Sequence, residues 1–123
     1  MSPRRKPRSG GAGWPLLLAA LAGCSALTGS QSVADVRTTQ VLVLRKEPGQ
    51  GPIHALEILG EGQIQGQASL RLFLDGTVYR NEPLAGRVNF RWRSDWYADK
   101  AELRYTARRV TGGRLTLRYR FRD

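Results

Sequence analysis

Hydrophobic and polar residues alternate along most of the chain beyond residue 35, with a period of two. In residues 64–74 the even positions hold Ile, Gly, Ala and Leu, whereas the odd positions are mostly Gln, Ser and Arg. Because successive side chains of a β-strand point to opposite faces of the sheet, this pattern predicts a strand with one buried face. Similar patterns predict strands at 36–45, 53–59, 86–93, 101–107 and 115–121. No segment in this part of the chain requires a helix.

The dipeptide Asp75-Gly76 predicts a tight hairpin directly after residues 64–74. Asp-Gly between two hydrophobic runs is a strong short-range hairpin signal, because both residues tolerate the positive φ that such a turn requires. A two-residue loop pairs Leu74 with Thr77, Leu72 with Tyr79 and Arg71 with Arg80. The first two pairs agree about which face is buried, and the third brings two guanidinium groups together.

A second hairpin is predicted between residues 101–107 and 115–121. A two-residue loop at Gly112-Gly113 would place each buried position of one strand opposite an exposed position of the other, which excludes that register. A three-residue loop at 111–113 keeps both apolar faces on one side of the sheet. It pairs Ala107 with Leu117, Tyr105 with Tyr119 and Leu103 with Phe121 on the buried face, and Arg104 with Arg120 and Glu102 with Arg122 on the exposed face.

Six or seven short antiparallel strands predict an all-β fold, either a small sandwich or an open barrel. We expect one domain at residues 35–123, because the chain is too short for two cores of ordinary size. Residues 25–34 (SALTGSQSVA) are small and mostly polar. They are predicted to be a flexible tether in front of the domain.

The first residues of the chain have the pattern of an export signal. Residues 1–13 carry four Lys and Arg and no acid, and residues 14–22 (WPLLLAALA) are uncharged and mostly apolar. A positive segment followed by a short apolar run and small residues is typical of such a signal. As a helix the apolar run spans about 14 Å, less than half of the ~30 Å hydrocarbon core of a bilayer. The pattern therefore favours a removed signal at 1–23 over a permanent membrane span.

The only cysteine of the chain lies two residues after this run, in Leu21-Ala22-Gly23-Cys24. These four residues resemble the lipobox of bacterial lipoproteins. The resemblance implies that the Cys24 sulfur receives a diacylglyceryl group, that a signal peptidase cuts between Gly23 and Cys24, and that the new amine is acylated as well. The alternative is an ordinary secretory signal followed by a chance cysteine. The resemblance covers residues 1–25 and does not extend to the domain.

Acyl chains on Cys24 would anchor the mature chain to a membrane. One chain gives only marginal binding, whereas two or three hold a protein stably without a membrane-spanning segment. Ser25, rather than an aspartate, follows the cysteine, and in lipoproteins of two-membrane bacteria this resemblance implies sorting to the outer membrane. We therefore expect an exported protein on the periplasmic face of the outer membrane, provided that the source has two membranes.

Arginine dominates the charge of the mature chain. Of 20 Lys and Arg four lie in the signal, which leaves 16 against 10 Asp and Glu. Guanidinium groups bind phosphate and carboxylate through paired hydrogen bonds, so arginines on outward strand positions predict an anion-binding face. A proteome rich in arginine explains the same residues without any function, and both explanations stay open. The candidate face consists of Arg91, Arg93, Arg104, Arg118, Arg120 and Arg122.

Export argues against nucleic acid as the partner of this face. The remaining candidates are anionic lipid headgroups, lipopolysaccharide phosphates, anionic wall polymer or a partner protein. Trp92, Trp96 and Tyr97 surround a predicted loop at 94–100, where aromatic residues commonly cap a core. Stacking on a sugar ring and shallow membrane contact are the alternatives for these three side chains.

The chain lacks a recognisable catalytic or metal-binding pattern. His54 is the only histidine and has no nucleophile motif around it, and no group of His, Cys, Asp and Glu has metal-ligand spacing. We therefore expect no cofactor and no metal. The sequence predicts a lipid-anchored, non-catalytic binding or structural module, and the alternative is a small periplasmic enzyme that uses His54 with an acid supplied in space.

Overall fold

A computed structural model describes residues 27–123, and its regular structure consists of five β-strands. The first two strands are short: β1 spans Gly29–Ser32 and β2 spans Gln40–Arg45. The other three are long: β3 spans Ala55–Leu74, β4 spans Thr77–Asp95 and β5 spans Lys100–Arg122. The predicted all-β class is confirmed, with five strands in place of the six or seven expected.

All five strands belong to one open antiparallel sheet. The long strand β3 lies in the middle, with β4 on one side and β5 on the other. Both short strands pair with the outer edge of β5: β1 lies along residues 116–119 and β2 along residues 100–105. The sheet is therefore four strands wide, and its β5 edge is covered in two separate pieces.

The prediction of a hairpin at residues 111–113 is wrong. The strand β5 runs through these residues without turning, and Gly113 and Gly112 pair with Ile64 and Gln65 of β3. Consequently Arg104 does not lie opposite Arg120, and the predicted pair of Glu102 with Arg122 is absent too. In the described residues the β3 partner of Arg104 is Arg71, that of Arg120 is Glu57, that of Glu102 is Phe73 and that of Arg122 is Ala55.

The hairpin predicted at Asp75-Gly76 is confirmed. Both residues have positive φ, 53° and 78°, and Leu74 pairs with Thr77 as expected. The two more distant pairs were wrong, because a β-bulge between Leu72 and Phe73, with Tyr79 as the extra residue of β4, shifts the register by one residue. Leu72 faces Arg80 rather than Tyr79, and Arg71 faces Asn81 rather than Arg80.

The long strands fold back on themselves. Trp92 Nε1 donates a hydrogen bond to Glu82 Oε1 at 3.3 Å, although ten residues separate the two along β4. A fully extended strand would place them about 33 Å apart. Arg80 Nε likewise donates to Ser94 Oγ at 3.2 Å. The sheet therefore bends near its middle, so that its two halves pack inner face against inner face, like the two layers of a sandwich.

Glycines allow this bend. Gly66 of β3 has φ +128° and Gly113 of β5 has φ +127°, values that L-residues with side chains rarely adopt. A Cβ on Gly66 would collide with the carbonyl oxygen of Arg109, and one on Gly113 with the carbonyl oxygen of Gln63. Glycine is needed at both positions for conformation and for space, because neighbouring backbones approach too closely for any side chain.

The core lies between the two halves of the bent sheet. It is built mainly from Leu, Ile, Val and aromatic side chains, and Leu70, Leu103 and Leu117 are fully buried. Tyr105 is also fully buried, and its hydroxyl donates to the carbonyl of Val36 at 2.6 Å. Burial raises the pKa of this hydroxyl above its usual value.

The segment expected to be a tether is partly structured. Within residues 25–34, Gly29–Ser32 form β1, and the amide of Val33 donates to the carbonyl of Leu115 at 2.9 Å. Val33 is buried in the core together with Val36. Gly29 lies directly beneath the ring of Tyr119, where a side chain would not fit. Glycine is therefore needed at this position of β1. Only residues 25–28 remain between Cys24 and the sheet.

Candidate functional site

One outer face of the sheet carries seven arginines. They lie on the halves of β4 and β5 that flank residues 55–63 of β3, at alternate positions that point away from the core. We call this surface the arginine face: Arg87, Arg91 and Arg93 of β4, and Arg114, Arg118, Arg120 and Arg122 of β5. Five of the six arginines predicted for an anion-binding face belong to it, and Arg104 does not.

The register arranges these residues in rows across three strands. Arg93 and Arg120 flank Glu57, Arg91 and Arg118 flank Leu59, and Arg87 and Arg114 flank Gln63. Neighbouring strands lie about 4.8 Å apart, so each pair of arginines stands on Cα atoms roughly 10 Å from each other. The central strand therefore keeps the arginines of β4 and β5 apart and supplies acids between them.

Glu57 is the main acid of the face. Its side chain is only 11% exposed, and it bridges two arginines: Arg93 Nη1 lies 3.3 Å from Oε2, and Arg122 Nη1 lies 3.3 Å from Oε1. Glu61 is a weaker partner, 3.6 Å from Arg118 Nη2 and 52% exposed. These acids hold part of the face in place and neutralise part of its charge.

Three arginines of the face are exposed to solvent and have no acidic partner among the described residues. Arg87, Arg91 and Arg114 are exposed, and within residues 27–123 none of them forms an ion pair or a hydrogen bond through its side chain. Together with Arg93, Arg118, Arg120 and Arg122, they outnumber Glu57, Glu61 and Asp95, the acids at outward positions of the same rows. The surface is therefore positive overall and suited to binding anions.

Arg104 lies on the other half of the bent sheet. Its guanidinium stacks on the ring of Phe73, 4.1 Å from the centroid, and its Nε donates to Glu102 Oε2 at 2.7 Å. These contacts give Arg104 a packing role beside the exposed Val41, its partner on β2. The outward position was predicted correctly, but the face to which it belongs was not.

A groove of about 710 Å³ lies beside the bend, outside the arginine face. Arg71 of β3 and Arg108 of β5 line it, together with polar side chains and a floor of small apolar residues, and no acid is among its lining residues. Alternation alone did not point to this groove, because it depends on irregularities in the strands. The sequence signal that could have revealed it is the loss of hydrophobic–polar alternation at residues 108–113.

His54 forms its hydrogen bonds through the backbone. Its backbone accepts from the amide of Trp96 at 3.2 Å and donates to the carbonyl of Arg122 at 2.8 Å, while its side chain is exposed. In the described part of the chain, no group of three or more His, Cys, Asp and Glu could hold a metal ion. The geometry gives the histidine a position at the start of β3.

Two of the three aromatic residues near the loop at 96–99 cap the core as predicted. Trp92 and Trp96 are buried, and Trp96 Nε1 donates to the carbonyl of Lys100 at 2.9 Å. Tyr97, in contrast, is 77% exposed. The exposed ring stands at the end of the sheet where β4 ends and β5 begins, opposite the bend.

The predicted lipidation site and signal cleavage site, Gly23 and Cys24, lie outside the described residues. Among residues 27–123, no helix has the length and the apolar composition required to traverse a membrane.

Comparison with known proteins adds little to this description. No protein-family model matches the chain, and no curated protein matches it. Among solved structures, the fold is similar to part of dimeric latent PorU from Porphyromonas gingivalis, with 8% identity and a TM-score of 0.39. That match covers 76% of this chain and 11% of the PorU chain, and a TM-score this low carries no argument about function.

Proposed function

We propose that this protein is a lipid-anchored envelope protein, non-catalytic, whose arginine face binds the anionic components of the membrane to which Cys24 tethers it. The observation that carries the proposal is the arginine face itself: seven guanidinium groups on one side of the sheet, three of them without an acidic partner among the described residues. Guanidinium forks fit phosphate oxygens, and several on one surface attract an anionic bilayer at about 1 kcal/mol each.

The short link to Cys24 supports the same proposal. Between the anchored cysteine and Gly29, the first residue of β1, five residue steps span at most about 17 Å. The arginine face begins on β5, which pairs directly with β1, and it ends on β4, about 14 Å from β1 across the sheet. An anchor of this length would keep the face near the headgroups, so that even weak individual contacts act at a high effective concentration.

Vesicle binding of the domain without its lipid tests the role of the face. In the domain 25–123, the triple change Arg87→Gln, Arg91→Gln and Arg114→Gln removes the three exposed charges that lack an acidic partner in the described residues. We expect its affinity for vesicles with phosphatidylglycerol to fall at least about tenfold at low salt, because each cation contributes about 1 kcal/mol near an anionic surface. Wild-type binding should weaken as salt is added, and the variant should respond less.

A second triple variant controls for net charge. Arg37→Gln, Arg45→Gln and Arg109→Gln removes the same charge from exposed positions outside the arginine face. If the face binds, this control should retain most of the wild-type affinity. Equal losses in the two variants would instead mean that only the total charge of an arginine-rich chain matters, and the proposed face would be abandoned.

A further inference from the structure

We propose that the groove beside the bend is a second binding site, independent of the arginine face, and that it takes a phosphate monoester carried on a hydroxylated body such as a sugar. The groove has about 710 Å³ of space, far more than a phosphate group alone requires and within the range of small-molecule sites. It is lined by Arg71, Arg108 and hydrogen-bonding side chains above a small apolar floor.

Two irregularities of the sheet create the groove. Pairing between β3 and β4 stops after Ile64 and resumes at Ala68, so that three residues of β3 stand against only Ala85 of β4. On the other side of β3, Gln67 pairs with Arg109 and Ala68 with Ala107, which leaves Arg108 as an extra residue in β5. A β-bulge of this kind bends its strand and redirects the side chain of the extra residue.

The charge of the groove is not compensated within the described part of the chain. Neither Arg71 nor Arg108 forms an ion pair or a side-chain hydrogen bond with another described residue. Arg71 lies directly opposite Arg104, a like-charge cross-strand pair that costs stability unless an anion is near. Arg104 is engaged with Glu102 and Phe73, so the charge of Arg71 is left for a ligand in the groove.

The chemistry of the lining favours a phosphate over a carboxylate. Two guanidinium groups present paired N–H donors from two different strands. A carboxylate offers two oxygens, whereas a phosphate monoester offers three terminal oxygens and close to two negative charges at neutral pH, enough to accept from both arginines. Ser69, Thr106 and Asn81 supply hydroxyl and amide groups for a hydroxylated body, above Pro83 and Leu84.

Titration of the full chain in a neutral detergent with glucose 1-phosphate tests this site. We expect saturable NMR shifts at the amides of Ser69 and Thr106, with glucuronate binding at least fivefold more weakly and glucose not binding. The double change Arg71→Gln and Arg108→Gln should weaken glucose 1-phosphate at least tenfold. Arg71→Lys, which keeps the charge but loses the fork, should lie between the wild type and the double variant.

A matched control separates the groove from general charge. Arg37→Gln and Arg45→Gln removes the same charge at exposed positions outside both the groove and the arginine face, and it should leave the affinity within twofold of wild type. Shifts that never saturate, or equal losses in the two double variants, would overturn the site. Thermal unfolding of each variant shows whether the domain is still folded.

A second experiment decides whether the phosphate belongs to a lipid headgroup or to a free sugar phosphate. Vesicles with monophosphoryl lipid A present a sugar phosphate as a lipid headgroup, and glucose 1-phosphate presents one free in solution. Binding of either probe that depends on Arg71 and Arg108 supports the groove and identifies the source, and binding of neither overturns it. Failure of the arginine-face variants in phosphatidylglycerol vesicles is a separate result, since those variants leave the groove intact.

Discussion

At the scale of single residues, Glu57 organises the arginine face. Its neighbours Leu56 and Ile58 point into the core, so its own carboxylate points outward, yet the arginines on either side cover it until only 11% is exposed. A partly buried carboxylate is stable only with good partners, which here are Arg93 and Arg122. The sequence predicted a strand at 53–59 but did not indicate the burial of Glu57, because that depends on which strands flank β3.

The change Glu57→Gln should lower the free energy of unfolding by about 1–2 kcal/mol, because hydrogen bonds between charged partners contribute about 1.5–3 kcal/mol and the exposed Arg93 is partly screened by solvent. The new amide group would also place a donor against one of the two guanidinium donors. Urea unfolding of the domain measures the effect.

The matched control is Glu61→Gln, at a carboxylate that is half exposed and 3.6 Å from its arginine. Its expected effect is at most about 0.5 kcal/mol, as is usual for surface ion pairs. Similar effects of the two substitutions would show that the arginines do not depend on the bridging carboxylate.

At the scale of elements, the sequence was informative about strand identity and poor about where strands end. Every segment predicted as a strand at or beyond residue 53 lies within β3, β4 or β5 apart from its first residue or two, and the turn at Asp75-Gly76 is confirmed. In the sequence, Gly112-Gly113 is equally compatible with a hairpin turn and with a sharp bend inside one strand, because both structures favour glycine with positive φ. Only pairing with β3 distinguishes them, and that pairing is a tertiary contact.

The bend should be sensitive to any side chain at Gly66. The change Gly66→Ala would strain a φ of +128° and push a methyl group into the carbonyl of Arg109. We expect a loss of about 3 kcal/mol or more, because unfavourable φ alone costs of the order of 1–3 kcal/mol and the overlap adds to it. The midpoint of thermal or urea unfolding measures this loss.

Gly51→Ala is the control for this substitution. The Cβ that it adds meets only Asp123 Oδ2 at 3.7 Å, an ordinary contact, and its φ is not in the left-handed region. A change within about 0.5 kcal/mol is expected. If Gly66→Ala were equally harmless, the bend would not depend on a glycine, and the continuous strands of the described fold would need another explanation.

At the scale of the whole molecule, the bend separates the two candidate sites. The arginine face covers the half of the sheet that also carries β1, and the groove lies beside the bend, where pairing between β3 and β4 is interrupted. From the β5 partner of Gly29 to the bend at Gly113, six residues of strand span about 20 Å. A membrane-bound face and a groove further from the tether could therefore bind different anions at the same time.

The anchor at Cys24 is the premise of this arrangement, and it can be tested without disturbing the fold. Cells grown with a clickable fatty acid should label the wild-type chain, and Cys24→Ala should abolish the label, because the thioether can form only at a thiol. The uncut variant should also keep residues 1–23 and run as a larger species. Cys24 precedes β1 by five residues in the sequence, so the two purified full chains should unfold at the same temperature. Ser25→Ala is the control and should keep the label. Equal label in wild type and Cys24→Ala would remove the lipid anchor, and with it the reason for expecting the arginine face to lie against a membrane.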